Sequence, residues 1–304
     1  MDHKKYLKDK GIFKKVHYYY KVNNEKITDP DIINRLDALH VPPAWKNVWY
    51  ASNEKCHIQA HGVDNSGKKQ YILSQKWITH SRYKKYNRMK EFMKDLVQFK
   101  KKIVLRNTPT EIDRITLIKL LFNLLMDIHI RVGNEKYVSQ NKSYGLTTLR
   151  QKHCYKNANQ YFLSFDGKSK IHHVIEIPKK YNPYFDLLLK LNNNDVLFWY
   201  SGGNEITSDT LNEYLKQHMG DYTCKDFRTY SANVLFIKAF LKNAKNPVGV
   251  KKIILQSIDQ SAEKLGHSRS ISRKSYISQS LIDYCVDAFD VASSSEPEVL
   301  LSKV

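Results

Sequence analysis

Five residues of this chain could do chemistry together. Arg131 stands in Ile130-Arg131-Val132-Gly133, and Lys168 follows the turn-forming pair Asp166-Gly167. Arg228 stands in Lys225-Asp226-Phe227-Arg228-Thr229-Tyr230, and His267 in Leu265-Gly266-His267. Tyr276 closes Ser272-Arg273-Lys274-Ser275-Tyr276. Guanidiniums with fork geometry and an imidazole donor can hold charge that develops on phosphate oxygens. A lysine crowded by arginines can hand a proton to a poor alkoxide leaving group. A phenol oxygen makes a covalent link that is easily reversed, because phenolate leaves readily. Taken singly, each residue has an ordinary structural reading. An arginine at a helix C-terminus meets the helix dipole, a lysine on a turn is solvated, Gly-His caps a helix, and a tyrosine on an amphipathic helix packs.

The whole chain shares the cationic character of this set. Its 304 residues carry 50 Lys+Arg against 30 Asp+Glu, a formal net charge of +20. The basic residues are spread along the chain, which favours a basic surface on folded domains over a disordered arm. Such a surface suits a polyanion, and duplex DNA is the densest common one, although RNA or an anionic membrane surface would attract the same charge. No 18-residue apolar run exists, so no transmembrane helix is expected. The N-terminal MDHKKYLKDKGIFKK lacks the apolar core of a signal peptide, so an intracellular, non-secreted protein is expected. Cys56, Cys154, Cys224 and Cys285 match no zinc spacing and need no disulfide framework. His57 and His61, near Cys56, read as packing or surface residues rather than metal ligands. No phosphate-binding Gly-x-x-x-x-Gly-Lys-Ser/Thr loop and no acidic metal-binding cluster occurs, so no cofactor is expected.

The elements that must position these residues fall into two regions, an α+β arrangement. Residues 1–77 hold short strand-like runs, Val16–Val22 and Val48–Tyr50, broken by Pro42-Pro43. The segments His57–Ala60 and Lys69–Leu73 flank Asn65-Ser66-Gly67 as a hairpin in a small β-rich domain. Residues 78–304 read as a larger, mostly helical domain. From Ser81, the residues Met89, Phe92, Met93, Leu96, Val97 and Phe99 form a helical stripe that ends before Arg106-Asn107. A second helix is expected from Pro109 or Thr110 to Arg131, apolar on several sides and so central to the core, with Gly133 as its stop. Tyr161–Phe165 and Ile171–Ile177 flank Asp166-Gly167, a hairpin signal that puts Lys168 at or beside the tip. His172 and His173 then take opposite faces of the returning strand. Further helices are expected at 209–218, 226–241, 251–265 and 274–289, and the tail 292–304 is expected to be disordered.

In this order the motifs resemble type IB DNA topoisomerases. The run from Gly266-His267 through Ser272-Arg273-Lys274-Ser275-Tyr276 is similar to that family's nucleophile segment, Ser-Lys/Arg-x-x-Tyr. Lys225 to Tyr230 resembles its Lys-x-x-Arg box. Gly145 to His153 resembles a third box, and Ile130 to Gly133 with Lys136 and Tyr137 a fourth. Pro42-Pro43-Ala44-Trp45 and Gly62 to Tyr71 resemble the short branch found in poxviruses, some bacteria and giant viruses.

The resemblance implies a clamp of a small β domain and a helical catalytic domain around duplex DNA. It implies single-strand cleavage and resealing that relax supercoils through a 3′-phosphotyrosyl link, by a monomer needing neither ATP nor metal. It assigns Tyr276 as nucleophile, Arg131 and Arg228 to the scissile phosphate, His267 to assist there and Lys168 as general acid. Lys225 and Asn233 match accessory positions near the site. Lys68, Lys69, Gln70, Tyr71, Lys84, Lys136 and Tyr137 become candidate DNA contacts, with Gln70 able to pair with an adenine edge. Two positions depart from the poxvirus pattern: Leu73 replaces a base-reading tyrosine, and Asn134 replaces a lysine. A shallow site preference is therefore expected. Tyrosine recombinases use a similar residue set, but with His-x-x-Arg where Lys225 stands and with a helical first domain. A catalytically inactive DNA-binding module is disfavoured because the chemical set is complete.

Overall fold

The computed structural model describes residues 11–15, 18–106, 109–190, 195–200 and 205–304. The N-terminal segment read for a signal peptide lies largely outside them, as do Val16 and His17 of the first expected strand and Asn107. The chain divides into two compact units, residues 1–85 and 86–304.

The first unit is built on a five-stranded antiparallel sheet. Its strands are β1 (Ile12–Lys15), β2 (Tyr18–Lys21), β3 (Lys46–Tyr50), β4 (Ile58–Val63) and β5 (Lys69–Leu73), in the order β2-β1-β3-β4-β5. Helix α1 (Pro30–Asp37) starts where the Asp29 carboxylate accepts from the amides of Asp31 and Ile32. The core gathers Ile12, Tyr19, Ile27, Leu36, Tyr50 and Ala60. Arg35 ties α1 down by donating to the Ala51 carbonyl at 2.8 Å and to Gln59 Oε1 at 3.1 Å. In the β4–β5 turn, Asp64 Oδ1 accepts from the amides of Ser66 and Lys68, both at 2.9 Å. His57 stacks on Trp77 at 3.8 Å and His61 on Trp49 at 5.1 Å, so both histidines are packing residues.

The long helix α2 (Gln75–Lys102) begins six residues before the expected Ser81 and crosses the division between the units. Met89, Phe92, Leu96 and Phe99 face the second core, whereas Val97 points to solvent at 58% exposure. Helix α3 (Arg114–Asp127) is shorter than expected at both ends. The Asp113 side chain caps its start by accepting from the Thr116 amide at 2.7 Å. His129, at φ 54°, turns the chain out of helix, so Arg131 lies beyond the helix rather than closing it. Helix α4 (Glu135–Asn141) follows, capped by Asn134 Oδ1 on the Lys136 amide at 3.0 Å.

A three-stranded sheet adds an unexpected strand, β6 (Cys154–Asn157), beside β7 (Gln160–Asp166) and β8 (His172–Glu176). The β7–β8 connection is not a two-residue Asp-Gly turn. It runs from Gly167 to Ile171, closed by the Gly167 amide on the Ile171 carbonyl at 2.8 Å, with Ser169 and Lys170 both at positive φ. On β8, His172 is exposed and His173 half-buried, as the strand alternation requires.

The remaining helices are α5 (Asn182–Lys190), α6 (Ser208–His218), α7 (Cys224–Asn243), α8 (Val250–Leu265), α9 (Arg269–Ser275), α10 (Gln279–Asp287), α11 (Phe289–Ser293) and α12 (Pro297–Leu301). Helix α7 is the axis of this unit, buried from Phe227 to Phe240 on several sides. Phe227 meets Phe92 edge-on at 5.1 Å, and α8 lies close enough for Ser261 Oγ to donate to the Ala232 carbonyl at 3.0 Å. The expected continuous helix over 274–289 is broken at Tyr276–Ser278. The tail is ordered rather than frayed: Ala292, Leu300 and Val304 are buried in the main core, which gives α12 an apolar anchor.

Candidate active site

Each of the five chemical residues is delivered by a different local device, all within the second unit. Arg131 sits in an extended segment locked to a neighbouring turn. The Leu146 amide donates to the Arg131 carbonyl and the Thr147 amide to the Val132 carbonyl, each at 2.7 Å. That approach needs glycine at position 145, because a Cβ there would stand 2.6 Å from the backbone of Gly133 and 2.7 Å from the Arg131 carbonyl oxygen. The Gly145–His153 box therefore acts on the site through backbone, by fixing the segment that carries Arg131.

Arg228 emerges from α7 almost fully buried. Its guanidinium donates to the His129 carbonyl, to the Leu265 carbonyl at 2.7 Å and to His267 Nε2 at 2.8 Å. Its Nε is buried without a hydrogen-bond partner among the described residues. Burial, and then the nearby charge of Arg131, push its pKa down, while Tyr276 supports the charge. Burial likewise lowers the pKa of Arg131, offset by Tyr276. Two desolvated guanidiniums side by side form a site that an anion would relieve.

His267 follows Gly266, whose φ of 59° ends α8. Its Nε2 accepts from Arg228, so the proton of the neutral ring is assigned to Nδ1, facing Ser272 Oγ at 3.4 Å. Burial, followed by Arg228, Arg131, Lys168 and His173, pushes its pKa down to about 3, which keeps the ring neutral. The Tyr276 ring lies against it at 4.3 Å between centroids.

Tyr276 occupies the break after α9. Its amide and that of Ile277 both donate to the Ser272 carbonyl, at 3.1 and 2.9 Å. Asn233 on α7 holds the break from below: its Nδ2 donates to the Tyr276 carbonyl at 3.0 Å, and its Oδ1 accepts from the Ser278 amide at 2.9 Å. Tyr86 Oη donates to the Ile277 carbonyl at 2.8 Å. Lys168 is exposed on the β7–β8 turn and borders a cleft of about 300 Å³ with Arg131, Arg228, His173, Tyr144 and Lys264. Lys225 is exposed on the first turn of α7 and does not line that cleft.

Residues 74–289 match the family model described as eukaryotic DNA topoisomerase I, catalytic core, and residues 16–64 match bacterial DNA topoisomerase IB, N-terminal domain. The chain belongs to the type IB topoisomerase family. DNA topoisomerase 1B of Acanthamoeba polyphaga mimivirus is 36% identical over 279 residues, which span 86% of this chain and 81% of the relative. DNA topoisomerase 1B of Vaccinia virus (strain Copenhagen) is 28% identical over 255 residues, spanning 80% and 78%. The crystal structure of the XerH site-specific recombinase bound to palindromic difH substrate matches at 14% identity and a TM-score of 0.37, over 76% of this chain and 59% of that one. That superposition is too weak to bear on the choice between topoisomerase and recombinase.

Within this topoisomerase fold the outer candidates are scattered. Lys68, Lys69 and Tyr71 are exposed on the β4–β5 hairpin, while the Gln70 amide donates to Asp64 Oδ2 at 2.7 Å. Lys84 is exposed on α2, and Lys136 and Tyr137 on α4. No group of three or more His, Cys, Asp or Glu suited to a metal occurs among the described residues. No described helix is long and apolar enough to cross a membrane. Sequence reasoning missed His129, Tyr86 and His173. Only His173 carried a signal, its inward register on β8.

The two hydrogen bonds of Asn233 to the Tyr276–Ser278 break predict a stability effect. Asn233→Ala leaves the buried Ser278 amide without its acceptor, an expected loss of about 1–3 kcal/mol. Thermal denaturation checks it, and an unchanged melting temperature would remove Asn233 as the support of this break.

Proposed function

We propose that this protein relaxes supercoiled duplex DNA by transient cleavage and resealing of one strand through a 3′-phosphotyrosyl link. The observation that carries the reading is the convergence of Arg131, Arg228 and His267 around Tyr276, with Lys168 lining a cleft that it shares with the two arginines.

The Tyr276 phenol oxygen attacks the scissile phosphorus and its proton passes to solvent. The bond from phosphorus to the 5′-oxygen breaks, and Lys168 Nζ supplies the proton that the departing oxygen takes up. Arg131 and Arg228 hold the charge that grows on the non-bridging oxygens, each donor being worth about 2.7–4 kcal/mol by analogy with oxyanion holes. Once phosphate draws Arg228 away from His267 Nε2, the neutral ring can carry its proton on Nε2 instead of Nδ1 and donate to the same oxygens. Resealing reverses these steps, driven by the phenolate as leaving group, so no external energy source enters the cycle. Two guanidiniums supply the positive charge that metal ions supply in other phosphoryl-transfer sites.

Lys225 and Asn233 act beside the site, Asn233 through the backbone of Tyr276. Lys68, Lys69, Gln70, Tyr71, Lys84, Lys136 and Tyr137 contact the duplex, in a monomer working inside a cell. Asn134 is committed to capping α4, and Leu73 offers no hydrogen bond, so the preference for cleavage sites is shallow. The test is plasmid relaxation with excess EDTA and no ATP. A ladder of relaxed topoisomers is expected. Dependence on ATP or magnesium would overturn the mechanism, and recombinant products without relaxation would move the chain's activity to strand exchange.

A further inference from the structure

Gly167 and Gly266 immediately precede Lys168 and His267, and both press against one imidazole. A Cβ built on Gly167 would lie 2.7 Å from Cδ2 and Nε2 of His173, and one built on Gly266 would lie 2.2 Å from its Cε1. At such separations the ring occupies the space a side chain would take, so both glycines are needed for it to fit. The third side of the ring is covered as well. His173 pairs with Phe165 across β7 and β8 and stacks on it at 5.2 Å, with 23° between the planes. Burial, followed by the charges of Arg131 and Arg228, lowers its pKa, so the ring is a neutral spacer in a cationic site.

The two turns that meet at this ring are not equally anchored. His267 has further attachments: its ring to Arg228 and Ser272, and its amide to the Ala262 carbonyl at 2.8 Å. The Lys168 turn is exposed, contains two residues at positive φ, and closes on itself through the Gly167 amide. Its direction toward the cleft therefore depends on what packs against Gly167.

We propose that His173 is a positioning residue, wedged between the Gly167 and Gly266 turns, that holds Lys168 at the distance from which it protonates the leaving 5′-oxygen. The inference rests on reading Lys168 as the proton donor. It separates His173 from residues that bind the phosphate, because a proton donor is dispensable when the leaving atom needs no proton.

The experiment is single-turnover cleavage by the full chain on two duplexes, identical except for oxygen or sulfur at the bridging 5′-position. His173→Ala should slow cleavage of the oxygen duplex by roughly tenfold or more, part of the 10²–10⁴-fold that a positioned proton donor contributes. On the sulfur duplex it should cleave at nearly the wild-type rate, because a thiolate leaves unprotonated. Added to Lys168→Ala, it should cost nothing more on oxygen, since both act on one proton transfer. Equal slowing on oxygen and sulfur, or no slowing on either, would overturn the proposal. Should the alanine variant not fold, His173→Leu refills the space less well and is expected to show the same contrast between the duplexes. Lys168→Ala separates the two levels of the argument. If sulfur rescues Lys168→Ala but not the His173 variants, only the His173 role fails. If sulfur does not rescue Lys168→Ala, the proton-donor reading fails and the inference with it.

Discussion

Tyr276→Phe is expected to abolish both relaxation and the covalent DNA adduct, a loss on the order of 10⁴-fold or more, while leaving the fold and non-covalent DNA binding in place. The structure separates the phenol oxygen from everything else that holds this residue. The ring rests on His267, the carbonyl is held by Asn233, and the amide bonds back to Ser272. None of these contacts needs the hydroxyl. The hydroxyl engages the two arginines, whose charges it helps to support. Its removal therefore deletes the proposed nucleophile and slightly sharpens the repulsion between Arg131 and Arg228, an effect that bound phosphate would cancel. The check is a denaturing gel of protein with radiolabelled duplex, beside a filter-binding curve and a melting curve. A retained covalent adduct would move the nucleophile to another residue.

Arg228→Ala is expected to lower single-turnover cleavage by about 10²–10³-fold, the cost of losing one preorganised donor to a developing oxyanion. Unlike Lys168→Ala, it should not be rescued by sulfur at the 5′-position, because the charge that we propose it stabilises lies on the non-bridging oxygens. It should also destabilise the fold. The carbonyls of His129 and Leu265 and the Nε2 of His267 all lose their donor, at roughly 1–3 kcal/mol for each buried group left unpaired. Arg228→Lys keeps the charge, but an ammonium on a flexible stem cannot serve these acceptors and a phosphate with the planar fork of arginine. A recovery smaller than tenfold is expected on the same scale. Cleavage rates on both duplexes, together with melting curves, test all of this. Full activity in the lysine variant would reduce Arg228 to a point charge.

The residues of the proposed chemistry are legible in the sequence alone. Arg131, Arg228, His267 and Tyr276 stand in short local motifs, and the type of each side chain follows directly from the composition of those motifs. The β-rich first region and helical second region were equally legible, because strand alternation and the helical stripe of Met89, Phe92, Leu96 and Phe99 are properties of near neighbours. Element ends were less so. Asp113 starts α3 and His129 ends it through a side-chain cap and a left-handed residue, and neither shows in apolar periodicity.

What tertiary structure alone decided is how the motifs are held to one another. The break that frees Tyr276 from a continuous helix depends on Asn233, 43 residues away, and on Tyr86, 191 residues from the carbonyl it holds. Arg228 is aimed by carbonyls 99 and 37 residues distant, and the turns that carry Lys168 and His267 both pack on the ring of His173. The tail became a packed helix because Leu300 and Val304 find apolar cover that lies elsewhere in the chain. A sequence states which groups are present and how each short segment bends. Which carbonyl meets which guanidinium is fixed only when distant segments pack to close contact, where every buried donor must find an acceptor.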